Sequence, residues 1–449
     1  MKIVIIGCGH VGLVTAVGFA EFGHEVVGMD SDAQRIEDLR HGKPWFFEPD
    51  VGELLVKHNG GLVSFETDLR RALDGADAAF ICVATPARPD GRLNLVYVEQ
   101  ATHAIAEAAS GPLVVVEKST VPVQTARRIV EVLEIDGKLG AIEVASNPEF
   151  LTEGSAVRDT LDPDRIVVGV RTPGGLAEEV LRAIYAPLVD RLQTPLLVTD
   201  LETAELIKHA SNSFLAMKIS FINAVARVCE KTGADIEEVA RGMGLDPRIG
   251  PHFLSAGIGY GGSCFPKDVA AFLAQASDVG ADLSILEEVR RINADQRSHI
   301  IEKVKRALWN IDGKTIAVWG LSFKPGTDDL REAPSLDVIP ALEAEGATIR
   351  AFDPAAGPVA KAEFPNAEIC ADALEAVDGA DALVVLTEWR EFGAIELLQV
   401  KEALRRPVVV DGRNLWPVAL MAELGFTYLS FGRPDVIGGQ VKRSGAHTA

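Results

Sequence analysis

Residues Gly257 to Asp268 read Gly-Ile-Gly-Tyr-Gly-Gly-Ser-Cys-Phe-Pro-Lys-Asp, which sets one thiol, Cys264, behind four glycines and in front of Lys267 and Asp268. Glycines let a backbone turn through conformations that other residues avoid and bring it close to a ligand. Pro266 suits the first turn of a helix, and a cysteine near a helix N-terminus beside a lysine sits where the thiolate is favoured. A thiolate so placed is a nucleophile. The same cysteine taken alone reads as a small buried hydrophobe, so its context has to decide.

The second constellation lies at the N-terminus. An apolar run, Ile3 to Ile6, leads into Gly7-Cys8-Gly9-His10-Val11-Gly12, then an apolar helical stretch through Phe22, then a second apolar run that ends on Asp30. In this order Gly7 makes the tight turn, Gly9 admits a pyrophosphate to a helix N-terminus, and Gly12 allows close packing of helix on strand. Asp30 would accept hydrogen bonds from a ribose 2′-hydroxyl and repel a 2′-phosphate, which predicts NAD rather than NADP.

These residues need elements to position them. Strand-like runs at Ala78–Ala84, Leu113–Glu117, Ile142–Ser146, Ile166–Val170 and Pro195–Thr199 alternate with helical stretches such as Val98–Ala109 and Gln124–Leu133. That alternation predicts a doubly wound parallel sheet, with ligands at the carboxyl ends of its strands. Polar turns collect at those ends: Thr85-Pro86, Lys118 to Pro122, and Asn147 to Gly154. Within the last, Glu149 and Glu153 read either as solvated loop charges or as site carboxylates. Thr199-Asp200-Leu201-Glu202 has the form of a capping box and opens a helical pattern running to about Gly233, with Lys208 and Asn212 four apart on one face. A further helix is predicted over Leu283–Trp309.

The chain then repeats itself. Thr315–Gly320, Gly346–Asp353 and Asp378–Thr387 echo the first strand, the second strand and the run at Asp74–Val83, so a second Rossmann-like sheet follows. It lacks the glycine triplet and carries instead the charged loop Phe323 to Glu332. The fold class is thus α/β, two Rossmann-like doubly wound parallel-sheet domains joined by a long central helix and a helical domain. The expected boundaries are 1–198, 199–311 and 312–436, with a disordered tail from 437.

At 449 residues the chain exceeds a single core, and its 47% hydrophobic and 24% charged content is that of a globular protein. No apolar run is long enough to span a bilayer, and the N-terminus reads as a first strand rather than a signal peptide. Five scattered cysteines, without a C-x-x-C pair, argue against a disulfide framework or a zinc site and for the reducing cytoplasm. A net charge of −21 disfavours nucleic acid as a partner. Small anions remain accessible to local clusters of Arg and Lys.

Taken together, Gly7 to Gly12, Lys118 to Pro122, Ser146 to Leu151, Pro163 to Val167, Glu205 to Lys208, Arg248-Ile249-Gly250, Gly259 to Asp268 and Phe323 to Pro334 resemble the UDP-glucose/GDP-mannose dehydrogenase family over nearly the whole chain. The resemblance implies a four-electron oxidation at sugar C6 with two NAD, UDP-glucose being the expected substrate and GDP-mannose or a UDP-N-acetylamino sugar the alternative. It implies that Cys264 carries a thiohemiacetal and then a thioester, that Lys208 stabilises the oxyanion, and that Asp268 orients it and handles protons. Glu153, Thr120 and Asn212 would position water and the C6 oxygen, and Glu149 matches the acid/base of thioester hydrolysis. For the cofactor the pattern carries over, beyond Gly7, Gly9 and Gly12, to Val11, Asp30, Arg35, Thr85, Thr120, Glu153, Lys267 and Arg331. For the sugar nucleotide it carries over to Glu149, Phe150, Leu151, Glu153, Lys208 and Asn212, to Arg248, and to Ser255, Gly257, Tyr260 and Gly261 in the glycine loop. Phe323, Lys324 and Arg413 complete it. Arg248 is expected to reach the site of a neighbouring subunit, which implies a homodimer or larger assembly. The chain departs from the family at His10, where tyrosine is usual, at Asp50, where glycine is common, and at Asn414 to Pro417 beside Arg413.

Overall fold

The computed structural model describes residues 1–442, which fold into two compact units. The first comprises Met1–Ser211 and Ala270–Ala281, the second Asn212–Val269 and the chain from Asp282 onward. Residues 199–311 are therefore divided between the units.

The first unit holds eight strands: β1 (Lys2–Ile6), β2 (Glu25–Met29), β3 (Val63–Glu66), β4 (Ala78–Ile81), β5 (Leu113–Glu117), β6 (Ile142–Ser146), β7 (Ile166–Val170) and β8 (Leu196–Thr199). They lie in the order β3-β2-β1-β4-β5-β6-β7-β8, and every neighbouring pair is parallel except β6 and β7. β4 and β5 are buried at every residue, as expected of strands covered on both faces. Apolar side chains pack on each face in turn, Ile3, Ile5 and Phe80 on one, Val4, Ala79 and Val115 on the other. The order reverses between β1 and β4, so the turns after β1, β4, β5 and β6 open at one edge of the sheet.

The second unit repeats the plan with β9 (Thr315–Trp319), β10 (Thr348–Phe352), β11 (Glu368–Ile369), β12 (Ala382–Val385), β13 (Val408–Asp411), β14 (Thr427–Leu429), β15 (Asp435–Ile437) and β16 (Gln440–Lys442), ordered β11-β10-β9-β12-β13-β14-β15-β16. The first six strands reproduce the order of the first sheet. β15 and β16 are antiparallel additions, Val436 pairing with Val441. The tail expected from 437 is corrected accordingly: residues 437–442 take part in this strand pair, and 443–449 lie outside the described residues.

The helix predicted from the Thr199 region runs Leu201–Thr232. Its cap is Asp200 rather than Thr199, because Thr199 is the last residue of β8 and the Asp200 carboxylate accepts from the Thr203 backbone N–H at 2.8 Å. The helix predicted over Leu283–Trp309 runs Ser284–Leu308.

Candidate functional site

In the first unit the chain leaves β1 at Gly7 with φ of +97°, and a Cβ there would lie 2.7 Å from the Cys82 carbonyl oxygen. A Cβ on Gly12 would lie 1.8 Å from the Gly7 carbonyl oxygen, which fixes how closely the helix His10–Glu21 leans on the turn. Gly9, the N-cap, is different. A Cβ there would meet no protein atom within 4 Å, so packing does not demand glycine, whereas a pyrophosphate against the helix N-terminus does. The residues present thus fit a dinucleotide, with Val11 half-buried in the first helical turn.

Asp30 is buried at the end of β2. One carboxylate oxygen accepts from the Cys8 N–H at 2.9 Å and from Arg35 at 3.0 Å, the other from the Asp32 N–H at 3.0 Å. The acid expected to meet a ribose therefore also braces the glycine turn. Arg35 lies over the Trp45 ring at 4.7 Å, and Trp45 donates to the Cys8 carbonyl. The Thr85 hydroxyl donates to the Thr120 carbonyl at 2.8 Å, joining the turns after β4 and β5.

After β6 the loop turns inward. Glu149 is buried, one oxygen accepting from Lys208 at 2.8 Å and the other from the Leu151 N–H at 2.6 Å. Burial and these bonds decide against a solvated loop charge. Lys208, on the long helix, is 3% exposed. The Arg165 guanidinium stacks 3.9 Å over the Phe150 ring. Glu153 lies one turn on, half-buried, in a loop held from outside: the buried Glu48 carboxylate accepts from the Gly154 N–H at 2.7 Å and the Ala156 N–H at 2.9 Å. His10, stacked on Phe46 at 3.7 Å, stands 3.6 Å from the same Glu48.

Two further carboxyls, Glu205 and Glu117, lie in segments quoted from the sequence but were given no role there. Glu205 accepts from the Gln124 N–H at 2.6 Å and the Ala126 N–H at 2.7 Å, capping the helix Thr125–Ile135 from another part of the chain. Burial, only partly opposed by these bonds, pushes its carboxyl up to about 7. Burial likewise raises Glu117 well above the usual carboxylate range.

In the second unit Cys264 stands immediately before the helix Phe265–Asp278, whose first bond runs from the Asp268 N–H to the Cys264 carbonyl. The residue is half-buried and its sulfur lies 3.6 Å from the Ser263 hydroxyl oxygen. Asp268 is buried and receives Asn212 at 2.6 Å and Lys267 at 2.7 Å. The glycine loop is pinned by amides: Asn223 accepts from the Gly257 N–H at 2.8 Å, Gln296 donates to the Gly257 carbonyl at 2.7 Å, and Asn293 exchanges two 2.9 Å bonds with the Tyr260 backbone. Sequence reading gave these three amides no role, although polar residues inside apolar helical patterns were the available signal. A Cβ on Gly261 would lie 2.2 Å from the Glu332 carbonyl oxygen.

Arg413 gathers loops of the second unit. Its guanidinium donates to the carbonyls of Gly259 and Phe323, both at 3.1 Å, and its own N–H is held by Asp411. Lys324 lies 6.0 Å from the Phe323 ring centroid. Arg331 is forked onto Asp329, and Arg248, 86% exposed at its side chain, is paired with Asp246. Ser255 is exposed. Among the described residues no cluster of His, Cys, Asp and Glu is suited to a metal ion, and no helix is long and apolar enough to cross a membrane.

Three family models match this chain in series: the NAD binding domain of the UDP-glucose/GDP-mannose dehydrogenase family over residues 1–189, its central domain over 202–295 and its UDP binding domain over 317–417. The chain belongs to the UDP-glucose/GDP-mannose dehydrogenase family. Family members similar to it include the UDP-glucose 6-dehydrogenase of Rhizobium meliloti, 44% identical over 97% of this chain and 100% of that protein. The UDP-glucose 6-dehydrogenase of Pseudomonas aeruginosa is also 44% identical, over 99% of this chain and 100% of that protein. Among solved structures, a UDP-glucose dehydrogenase from Pyrobaculum islandicum superimposes with a TM-score of 0.85 at 38% identity, covering 92% of this chain and 94% of the other. The dehydrogenase chemistry and the nicotinamide cofactor read from Gly7 to Asp30 are those of the family.

Proposed function

We propose that this family member oxidises the C6 hydroxymethyl of UDP-glucose to the carboxylate of UDP-glucuronate, reducing two NAD. The observation that carries the reading is the thiol at the N-terminus of the Phe265–Asp278 helix, next to the buried Asp268, in a chain whose flanking segments match NAD-binding and UDP-binding models. The names of the relatives at 44% identity favour UDP-glucose over GDP-mannose and the N-acetylamino sugars.

NAD supplies the hydride acceptor, once for each oxidation. The chain's residues handle the carbon between the two. After the first oxidation the Cys264 sulfur adds to the aldehyde carbon, forming a C–S bond and a hemithioacetal oxygen that takes a proton. Loss of the second hydride leaves a thioester, and water then breaks the C–S bond to release the acid and restore the thiol. Lys208 is the cation for the oxyanion, and Asp268, held by Asn212 and Lys267, orients the reacting group and handles protons. Glu149 serves as acid/base in hydrolysis, with Glu153 and Thr120 positioning water. Arg413, Phe323, Lys324 and the loop Ser255 to Gly261 are assigned to the sugar nucleotide, and Asp30, Arg35, Thr85, Lys267 and Arg331 to NAD. Three functional segments, 1–198, 199–311 and 312–436, follow this division of labour.

We also propose a homodimer or larger assembly in the reducing cytoplasm. Phe214, Phe221 and Val228 on the long helix are 56%, 52% and 58% exposed at seven-residue intervals, an apolar stripe that suits the same face of a second copy. The exposed Arg248 fits the expectation that it serves a neighbouring subunit. None of the five cysteines is disulfide-bonded.

The test is the number of NADH formed per UDP-glucose when limiting sugar nucleotide is run to completion with excess NAD. Two establishes the four-electron reaction and the substrate together; one would mean that oxidation stops at the aldehyde, and none would transfer the reading to GDP-mannose or a UDP-N-acetylamino sugar.

A further inference from the structure

Residues Trp45 to Glu48 lie between the helices Ala33–Arg40 and Val51–His58, outside any helix or strand, yet their side chains alternate. Trp45 and Phe47 are exposed, whereas Phe46 and Glu48 are buried. The first pair of residues holds the glycine turn. The Trp45 indole donates to the Cys8 carbonyl at 3.0 Å, and the Phe46 ring stacks on His10 with centroids 3.7 Å apart. Trp45 also carries the Arg35 guanidinium over its ring, and Arg35 bonds Asp30. Glu48 reaches to a different place, the loop after β6. One of its oxygens accepts from the Gly154 N–H at 2.7 Å and the other from the Ala156 N–H at 2.9 Å.

Those two bonds bear on Glu153. Its neighbour on one side, Thr152, donates its N–H to Asp159 at 2.8 Å, and its neighbour on the other, Gly154, donates to Glu48. Asp159 belongs to the helix Ala156–Leu161 that directly follows the loop, so it travels with the loop. Glu48 comes from elsewhere in the chain and ties loop and helix start to the segment that also holds the glycine turn. The first half of the loop is anchored differently, Glu149 by Lys208 and by the Leu151 N–H. An ionised carboxylate only accepts hydrogen bonds, so it can take an N–H on each oxygen, and an apolar side chain in its place would leave both donors buried without a partner.

We propose that Glu48 is a positioning residue for thioester hydrolysis: it holds Glu153 in one place relative to the dinucleotide turn, so that the hydrolytic water has a fixed seat. The proposal rests on the reading of Glu153 as the residue that positions this water. Reacting groups are held to productive geometry by the bonds behind them, and a displacement of about 1 Å costs up to about a hundredfold in rate. The hydride transfers depend instead on the glycine turn, which this segment braces through Trp45 and Phe46 and not through Glu48.

The test is rapid mixing of enzyme with saturating UDP-glucose and NAD, following NADH and, in acid-quenched samples, the mass of the intact protein, for the wild type, Glu48→Gln, Glu153→Gln and the double variant. Glutamine keeps the shape of glutamate with a single acceptor oxygen, so one of the two N–H groups loses its partner. In Glu48→Gln the first turnover is expected to deliver both NADH within about threefold of the wild-type rate, while steady-state turnover falls about tenfold and the sugar-nucleotide adduct on Cys264 accumulates. Glu153→Gln should give the same signature, and the double variant should be no slower than the slower single variant, because both changes act on one group. First-turnover and steady-state rates that fall in proportion, without adduct, would reduce Glu48 to a packing role and overturn the proposal. Unchanged steady-state turnover, or losses that multiply in the double variant, would overturn it too. If Glu48→Gln does not fold, Glu48→Asp keeps both oxygens but withdraws them by one methylene: a preserved first turnover with slowed steady state is again required, and a proportional loss of both overturns the idea. A wild type that forms no NADH from UDP-glucose would refute the functional reading itself, before any variant is compared.

Discussion

Asp268 is 1% exposed and accepts from Asn212 at 2.6 Å and from Lys267 at 2.7 Å. Its backbone N–H bonds the Cys264 carbonyl, so the residue proposed to orient charge and the residue that carries the thiol are joined by the first bond of one helix. Cys264→Ala is expected to lower uronic acid formation by at least about a hundredfold while the protein stays folded, since a group that forms a covalent intermediate has no substitute in alanine. Acid production at the wild-type rate, measured by chromatography of the sugar nucleotides, would remove the covalent step.

At the scale of elements, the site turns are held by acids reaching across the sequence. Asp30 bonds the Cys8 N–H at the end of β1, and in the second unit Asp353 bonds the Leu321 and Ser322 N–H groups at 2.7 and 3.0 Å after β9. The internal repeat therefore extends to the bracing of its turns. Glu205 caps the helix Thr125–Ile135 under a carboxyl raised from 4.5 to about 7 by burial. The folded chain then binds this proton more tightly than the unfolded chain does. The stabilisation is complete below about pH 4.5 and is lost as pH rises through about 7, on the order of 3 kcal/mol in all. Glu205→Gln, always neutral, lacks that dependence. The wild-type melting temperature should fall relative to the variant between pH 5 and pH 8; a constant gap across that range would mean that the carboxyl titrates normally. Glu117 shifts in the same direction, chiefly through burial and in part through the Glu205 charge, and that part is lost in Glu205→Gln, which adds to the same trend.

For the whole molecule, one architecture is used twice. Six strands in the order 3-2-1-4-5-6 recur as 11-10-9-12-13-14, with antiparallel strands added at the far edge of each sheet. What differs is the turn after the first strand, a glycine triplet in one unit and the loop Phe323–Glu332 in the other, which matches one NAD-binding and one UDP-binding model. The exposed stripe on the long helix belongs to this scale too. Phe221→Asp sets a charge in its centre, and burying an unpaired carboxylate at a subunit contact costs several kcal/mol. Sedimentation should show the wild type as a dimer or larger and the variant shifted toward monomer; unchanged sedimentation would place the subunit contact elsewhere.

The sequence alone was enough for what depends on local pattern: the strand runs, the long helices, the glycine turn that calls for NAD, the thiol loop and the repeat of the fold. Each rests on periodicity or on a residue type that a nearby backbone conformation demands, and such signals survive without knowledge of partners. Tertiary structure decided the rest. Lys208 and Glu149 are 59 residues apart, Glu48 and Gly154 are 106 apart, and Arg413 and Gly259 are 154 apart, yet each pair bonds directly. The sense of β7 against β6, the capping role of Asp200 in place of Thr199, and the burial of Lys118 belong to the same class. Local propensity fixes which segments are strands and helices; only the winding of the sheet fixes which strand ends converge, and that convergence sets the partners and solvation of every charge in the site.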